Sequence, residues 1–369
     1  MPGTETVAEA RRVMEICNAC RYCEGFCAVF PAMERERTFT DGDLTYLANL
    51  CHDCRGCYYA CQYAPPHPFG VNVPRSFALL RDETYAGHAW PRSLARAFAA
   101  NGAVVALVTA AALAFVLLLT FWLVGSGDLF QAGTEPGAFY RVIPWGVMVG
   151  VAAATSIFSI IALAMAGRNF WLASRPRERA GFRAVMRGLR DALLLKNLGG
   201  GGHGCNDRDE AFSMARRRFH HAMLYGFAAC FAATVIASFE AYCLGIPAPY
   251  PLLSAPVIFG TIGGIALLAG TSGLVWLRIT GDPAPSTRRL FNATLALLAL
   301  LWLVAASGLA LLAFRATPAM GVLLALHLGA VLALFVLLPY SKFVHAVLRT
   351  LALIRNAAEA ASSVTPGPE

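Results

Sequence analysis

Charge is scarce in this 369-residue chain. Asp, Glu, Lys and Arg together make up 14% of it, well below the quarter or so usual in a soluble domain. That shortage excludes a disordered polyelectrolyte and argues against an ordinary soluble enzyme. Acidic residues are outnumbered by basic ones, 22 to 30. The N-terminus, MPGTETVAEARRVMEIC, has no apolar core of the kind a signal peptide needs. The first hundred residues are therefore expected to stay in the cytoplasm, where thiols remain reduced. The sequence also lacks a GxGxxG dinucleotide fingerprint, a nucleophile with a base beside it, and the broken helix pairs typical of transporters. Substrate-level chemistry is thus expected on another polypeptide. Two things are present in excess: apolar sequence, at 57%, and cysteine concentrated in one place, since eight of the eleven fall within residues 17–61.

Cys17, Cys20, Cys23 and Cys27 read C-x2-C-x2-C-x3-C, and Cys51, Cys54, Cys57 and Cys61 repeat the spacing. Zinc sites typically use separated C-x2-C pairs, and a disulfide framework needs an oxidising compartment. The doubled run instead matches the bacterial pattern for [4Fe–4S] clusters, in which the fourth cysteine of each run serves the other cluster. Three thiolates on one tight loop grip three irons of a cube, and the fourth iron needs a thiolate from elsewhere. The expected sets are Cys17, Cys20, Cys23 and Cys61 for one cluster, and Cys51, Cys54, Cys57 and Cys27 for the other. Asp41 is expected to cap a short helix carrying Leu44, Leu47 and Ala48, and Pro74 to open another through Phe77 and Leu80. Residues 1–98 read as a small α-helical, ferredoxin-like head. So short a chain has little core, and its clusters are expected to supply much of its folding energy.

Residues 99–345 carry six uncharged apolar stretches: Gly102–Val124, Ile143–Ala166, His221–Phe239, Ala255–Leu277, Leu290–Phe314 and Met320–Tyr340. Each is long enough to cross a bilayer. The expected fold is therefore all-α, a ferredoxin-type head joined to a six-helix transmembrane bundle, with residues 346–369 as a tail. Of the 30 Lys and Arg, 28 fall in the head, the 167–219 loop, the 278–289 loop or the C-terminal segment that follows Tyr340. By the positive-inside rule these segments, and both termini, belong on the cytoplasmic side of a bacterial-type inner membrane. The basic excess is thus topological and suits anionic lipid, and nucleic acid need not be invoked. Within the long loop, Phe182, Val185, Met186, Leu189 and Leu193 recur at helical spacing opposite Arg183, Arg187 and Arg190, as in a helix lying in the membrane interface. The run GGGGHGCND at 199–207 suits a partner contact, a cover over a cluster, or a flexible linker.

Ionisable residues within spans are costly and point to function. His220 and His221 open the third span, His327 lies within the sixth, and His345 follows that span by a few residues. Beside iron–sulfur clusters, histidines on facing helices suggest a b-type haem with two imidazole ligands. Arg216, Arg217, Arg218, Lys342 and Arg349 stand where its propionates need cations. The topology favours His345 with His220 or His221. No histidine lies at matching depth for His327, while Cys230, Cys205 and Cys243 read as small packed residues.

The stretch ALHLGAVLALFVLLPYSKFVHAVLR, with its H-x17-H spacing, resembles the last span of the cytochrome b gamma subunit of respiratory nitrate reductases. There both histidines ligate haem, each paired with one of two histidines ten residues apart on an earlier span. Here Cys230 stands ten beyond His220, so the resemblance carries only the cytoplasm-proximal haem, on His345 with His220 or His221. From about residue 14 to 355, the chain is more similar to the tricarballylate/citrate utilisation protein B family. That similarity rests on CHDCRGCYYACQYAPPHPFGVNVP, GGGGHGCND, RRRFHHAMLYGF, APYPLLSAPV and PYSKFVH. It implies a membrane protein with iron–sulfur clusters and haem that reoxidises the FADH2 of a partner FAD-dependent dehydrogenase and delivers the electrons to quinone. The alternatives are an electron-transfer subunit of a sulfur or disulfide reductase, against which the absence of a CCG-type motif counts, and a non-enzymatic transporter or membrane redox sensor.

Overall fold

The computed structural model of the chain describes residues 3–94 and 101–362. Residues 95–98 of the expected head and 363–369 of the expected tail lie outside the described residues. Fourteen α-helices form among the described residues, and no strand does. The head holds α1 (Thr4–Cys20), α2 (Val29–Glu34), α3 (Asp41–Leu50), α4 (Gly56–Tyr59) and α5 (Val73–His88). Six long apolar helices follow: α6 (Asn101–Leu129), α8 (Trp145–Ser174), α10 (Ala215–Cys243), α11 (Ala255–Thr280), α12 (Arg288–Phe314) and α13 (Met320–Leu337). They make this a multi-pass membrane protein. The short α7 (Ala138–Val142) joins α6 to α8, α9 (Phe182–Leu193) lies in the long loop, and α14 (His345–Ser362) ends the described chain.

Large apolar side chains on the long helices face outward, among them Trp122, Leu118, Ile160 and Ile262. That is the pattern expected of helices whose solvent is lipid. Without a hydrophobic drive between them, such helices approach through small residues. α10 and α11 do so at Gly226 and Gly263, where an added Cβ would fall within 3 Å of the facing backbone. α10 makes its main contacts with α11. Beside that seam, His220 and Met223 of α10 line one cavity of the bundle, and Phe227 and Cys230 line another.

The head is capped as its sequence suggests, with one shift. Asn72 caps α5, with Pro74 in its first turn. α3 is capped by Thr40, which forms a reciprocal capping box with Asp43. Asp41, the residue expected at that cap, pairs with Arg11 instead at 2.7 Å. Thr40 wins because Asp43, three residues on, can answer its backbone N–H.

Two long-range additions complete the head. The end of α8 runs eight residues past the expected span and buries Ala166 and Phe170 in the head's core. The segment expected as a tail forms α14, which buries Leu348, Ala352 and Leu353 in the same core. Arg355 of α14 is fully buried. It bonds Glu359 at 2.6 Å, Asp43 at 3.0 Å and the carbonyl of Ser174, and lies 3.9 Å over the ring of Tyr46. One guanidinium thus ties together α3, α8 and α14.

Candidate functional site

The cysteines sit where helices end. Cys17 and Cys20 close α1, and Arg21 beyond them takes a left-handed conformation. Cys51 follows α3, and Cys57 lies in α4. Around Cys54, Asp53 and Arg55 both have positive φ, 58° and 66°. Each costs of order 1–3 kcal/mol in a non-glycine residue, so the tight turn at Cys54 is held by its surroundings. Cys17, Cys20, Cys23 and Cys61 line one cavity of about 250 Å³, and Cys57, expected in the other set, lines it too. Burial, and then the neighbouring Cys23 and Cys61, push the Cys17 thiol up to about 12. Burial raises Cys27 well above its ordinary value, as do Cys54 and Cys51, and Cys57 responds likewise to Cys54, Cys27 and Cys51.

Thiols so crowded cannot all ionise unless positive charge stands between them. The donor set therefore fits iron–sulfur clusters. Among the described residues, no three His, Cys, Asp or Glu side chains gather closely enough to hold a single metal ion. Cysteines spread around a space rather than a point suit a cube of irons better than one zinc.

The glycine run lies across both cysteine runs. Asn206 N–H donates to the Cys54 carbonyl at 2.9 Å. A Cβ on Gly201 would come within 3.0 Å of the Gly25 carbonyl oxygen, and the residue has φ 74°. Only glycine combines that conformation with so close an approach. Cys205 is buried, with its thiol on the Leu198 carbonyl at 3.2 Å. Of the three uses open to this run, the fold shows a cover over the cysteine loops.

Beside the head lies a cavity of about 410 Å³ into which His220 of α10 and His345 of α14 both project. Their ring centres are 6.2 Å apart. An imidazole nitrogen binds a metal at about 2 Å, with its ring centre about 1 Å further, so two ligands across one iron have centres about 6 Å apart. His345 Nδ1–H donates to the Lys342 carbonyl at 2.5 Å, which leaves Nε2 as a lone pair. Such a bond to the far nitrogen is the usual way a ligating histidine is oriented. Burial, and then Arg349, hold His345 well below its ordinary value and thus neutral. His220 Nδ1 is buried without a hydrogen-bond partner among the described residues. His221 does not line this cavity and lies against Tyr225, with ring centres 5.8 Å apart.

Arg55, Arg81, Arg216, Arg278, Lys342 and Arg349 line the same space, against Asp53 as the one carboxylate among the described residues there. Burial, and then Arg278, push Lys342 down to about 7. A cavity so rich in buried cations calls for an anion. A haem would bring two carboxylates for these cations, and His220 and His345 would hold its iron, so the residues fit that group. Of the cations expected to serve the propionates, Arg216, Lys342 and Arg349 line the cavity, while Arg217 instead donates to the Leu194 carbonyl. His52, which the sequence reading passed over, also lines it. Its Nδ1 is on the Leu50 carbonyl at 2.8 Å, and its buried Nε2 has no partner among the described residues. Its place directly after Cys51 was the available signal.

His327 lies apart from this site, in a second cavity of about 260 Å³ shared with Cys230. Cys243 is exposed. α9 presents Phe182, Met186, Leu189 and Leu193 outward, while its Gly188 abuts Ile354 of α14.

Residues 10–87 match the family described as Citrate utilization protein B Fer4-like domain, and residues 99–365 match Citrate utilization protein B. The chain is 44% identical over 364 residues to Citrate utilization protein B of Escherichia coli, covering 96% of this chain and 93% of that protein. No solved structure matches.

Proposed function

This chain belongs to the citrate utilization protein B family, and from that premise we propose that it carries electrons from a separate flavoprotein to quinone in the membrane. The donor is the reduced flavin of an FAD-dependent dehydrogenase of the tricarballylate or citrate utilisation type. The carriers are two [4Fe–4S] clusters, on Cys17, Cys20, Cys23 and Cys61 and on Cys51, Cys54, Cys57 and Cys27, followed by a b-type haem on His220 and His345. Both termini lie on the cytoplasmic side of an inner membrane. Clusters and haem supply one-electron steps, which divide the two electrons a flavin gives up.

Three consecutive residues carry this reading. Cys51 belongs to one cysteine set, and His52 and Asp53 line the cavity of the two histidines. From the other wall of that cavity, Arg349 donates to the Cys51 carbonyl at 3.0 Å. The wall of one centre is thus the loop of the next. The arginines hold carboxylates in place, the apolar walls exclude water, and the glycine run closes the cysteine loops from the side.

The test is anaerobic purification of the full chain, with optical and EPR spectra before and after mixing with its reduced flavoprotein partner. The expected result is a b-type haem band and four-iron signals that the flavin reduces. Cys54→Ser should cut flavin-to-haem transfer to background. A colourless, iron-free protein overturns the proposal.

A further inference from the structure

The second cavity lies within the bundle, between α10, α11, α12 and α13. Cys230 and Phe231 project from α10, Gly260 from α11, Gly308 from α12 and His327 from α13. It has no charged residue among its described lining residues. Phe231 is exposed on the outer surface of the bundle, at the level of lipid. The cavity is also close to the first one. Leu224 lines the first and Phe227 the second, less than one helical turn apart on α10, and Phe227 meets Phe343 in a tilted pair with ring centres 5.5 Å apart. An uncharged ring that dissolves in lipid and accepts electrons matches this setting.

The Thr234 and Thr261 hydroxyls in the lining donate to the Cys230 and Val257 carbonyls of their own helices, whereas the bonding of His327 is adjustable. Ser307 Oγ lies 3.1 Å from the Val304 carbonyl and 3.1 Å from His327 Nδ1. If the hydroxyl donates to Val304, Nδ1 carries the proton and Nε2 is an acceptor. If the hydroxyl turns to Nδ1, Nε2–H is a donor. One serine rotation therefore lets the imidazole donate to a carbonyl oxygen or accept from a hydroxyl. A quinone carbonyl and a quinol hydroxyl need those two roles in turn.

We propose that this cavity binds the ring of a membrane quinone, with His327 as the hydrogen-bond partner of one of its oxygens. The inference rests on the electron-transfer reading above and locates its last step. Reduction of the ring takes two electrons, which a haem held by His220 and His345 would supply one at a time, and two protons from water. The two C=O groups become two C–OH groups, and the carriers are left oxidised. His327 exchanges a hydrogen bond with one of those oxygens throughout.

The test uses the full-length holoprotein, reduced anaerobically with stoichiometric dithionite and mixed with decylubiquinone. Haem reoxidation is followed by stopped flow, and an azido-quinone photolabel is mapped by mass spectrometry. Two variants are compared with the wild type. His327→Gln removes the adjustable partner. Gly260→Leu fills the cavity, and its Cβ has ordinary room, 3.8 Å from Ala233. The expected result is unchanged haem and cluster spectra in both, reoxidation slowed about tenfold, as for one lost hydrogen bond, and wild-type label on α10 or α13 that both variants lose. Normal reoxidation and labelling in both variants overturns the site while leaving the electron-transfer reading intact. Loss of haem in His327→Gln shows a haem ligand there and overturns it too. Wild-type protein that no quinone reoxidises overturns the electron-transfer reading, and this inference falls with it.

Discussion

Two cavities open on one face of α10, each with an imidazole reaching in from a later helix, and their other walls differ in kind. The cavity of His220 and His345 is ringed by six cations, with Asp53 as its one described carboxylate. The cavity of His327 is walled by glycines, aromatics and aliphatics, with Thr234, Thr261 and Cys230 as uncharged polar groups among its described residues. Arg216 is already paired with Asp207 at 2.5 Å, but a buried charge left unpaired costs several kcal/mol, so the remaining cations make the first space suit an anion, whereas the second suits a neutral guest. The histidines alone do not make that distinction. Their neighbours do, and they lie on segments far apart in the chain. The sharpest way to break the comparison is to treat both histidines alike. His345→Ala should erase the haem band and leave the cluster signals, whereas His327→Ala should leave the haem band in place. Equal haem loss in the two variants, read from pyridine haemochrome spectra, would falsify the assignment of different occupants.

A buried cation outside both cavities sharpens the point about pairing. Arg355 is more deeply buried than Arg216, Arg278 or Arg349 of the cavity, and two carboxylates, Asp43 and Glu359, hold it. Its removal leaves buried carboxylates uncompensated, which costs about 3–5 kcal/mol. Arg355→Ala should therefore lower stability by that amount in denaturant unfolding of the head, with the metal centres reporting the transition. A loss below about 1 kcal/mol would mean that the network is wet and behaves as a surface pair.

What was legible in the sequence was local. The two cysteine runs announce themselves because cluster binding needs thiolates a few residues apart, and the six spans because a bilayer demands about twenty apolar residues in a row. The ends of α8 and α10 were misjudged because both helices continue beyond the hydrocarbon, where hydropathy no longer marks them. Phe170 is a core residue of the head, although it lies past the apolar run that was read as a span. α14 reads as a tail in the sequence because its core residues meet partners some 300 positions earlier in the chain. The crown of cations around His220 and His345 was visible only in part. Arg216, Lys342 and Arg349 are near the histidines in sequence, whereas Arg55, Arg81 and Arg278 reach the cavity from the head and α11. The glycine run could not be assigned at all without Gly25 and Cys54 opposite it.

The cations also offer a graded test. A positive charge beside a haem favours its reduced, more negative state, so removing one should lower the midpoint potential. Arg349→Gln keeps a donor for the Asn49 and Cys51 carbonyls and takes away only the charge. The expected shift is downward by about 60 mV, a tenfold change in equilibrium constant for a one-electron couple. A potentiometric titration with unchanged or raised potential would place the propionates elsewhere.

The smallest expected effect comes from the neighbour of a ligand. His220 and His221 are adjacent on α10, and consecutive helical residues point about 100° apart. One therefore faces the cavity while the other lies beside Tyr225, whose hydroxyl donates to the Leu193 carbonyl of α9. His221→Ala removes a ring contact at a half-buried position and leaves no buried group without its partner. Stability should fall by less than about 1 kcal/mol, and the haem band, its potential and its reoxidation by quinone should match the wild type. A lost or shifted haem band in this variant, with His220→Ala retaining its haem, would exchange the roles of the two residues. It would also require α10 to turn by about 100° about its axis, pulling Gly226 away from the α11 backbone against which it lies.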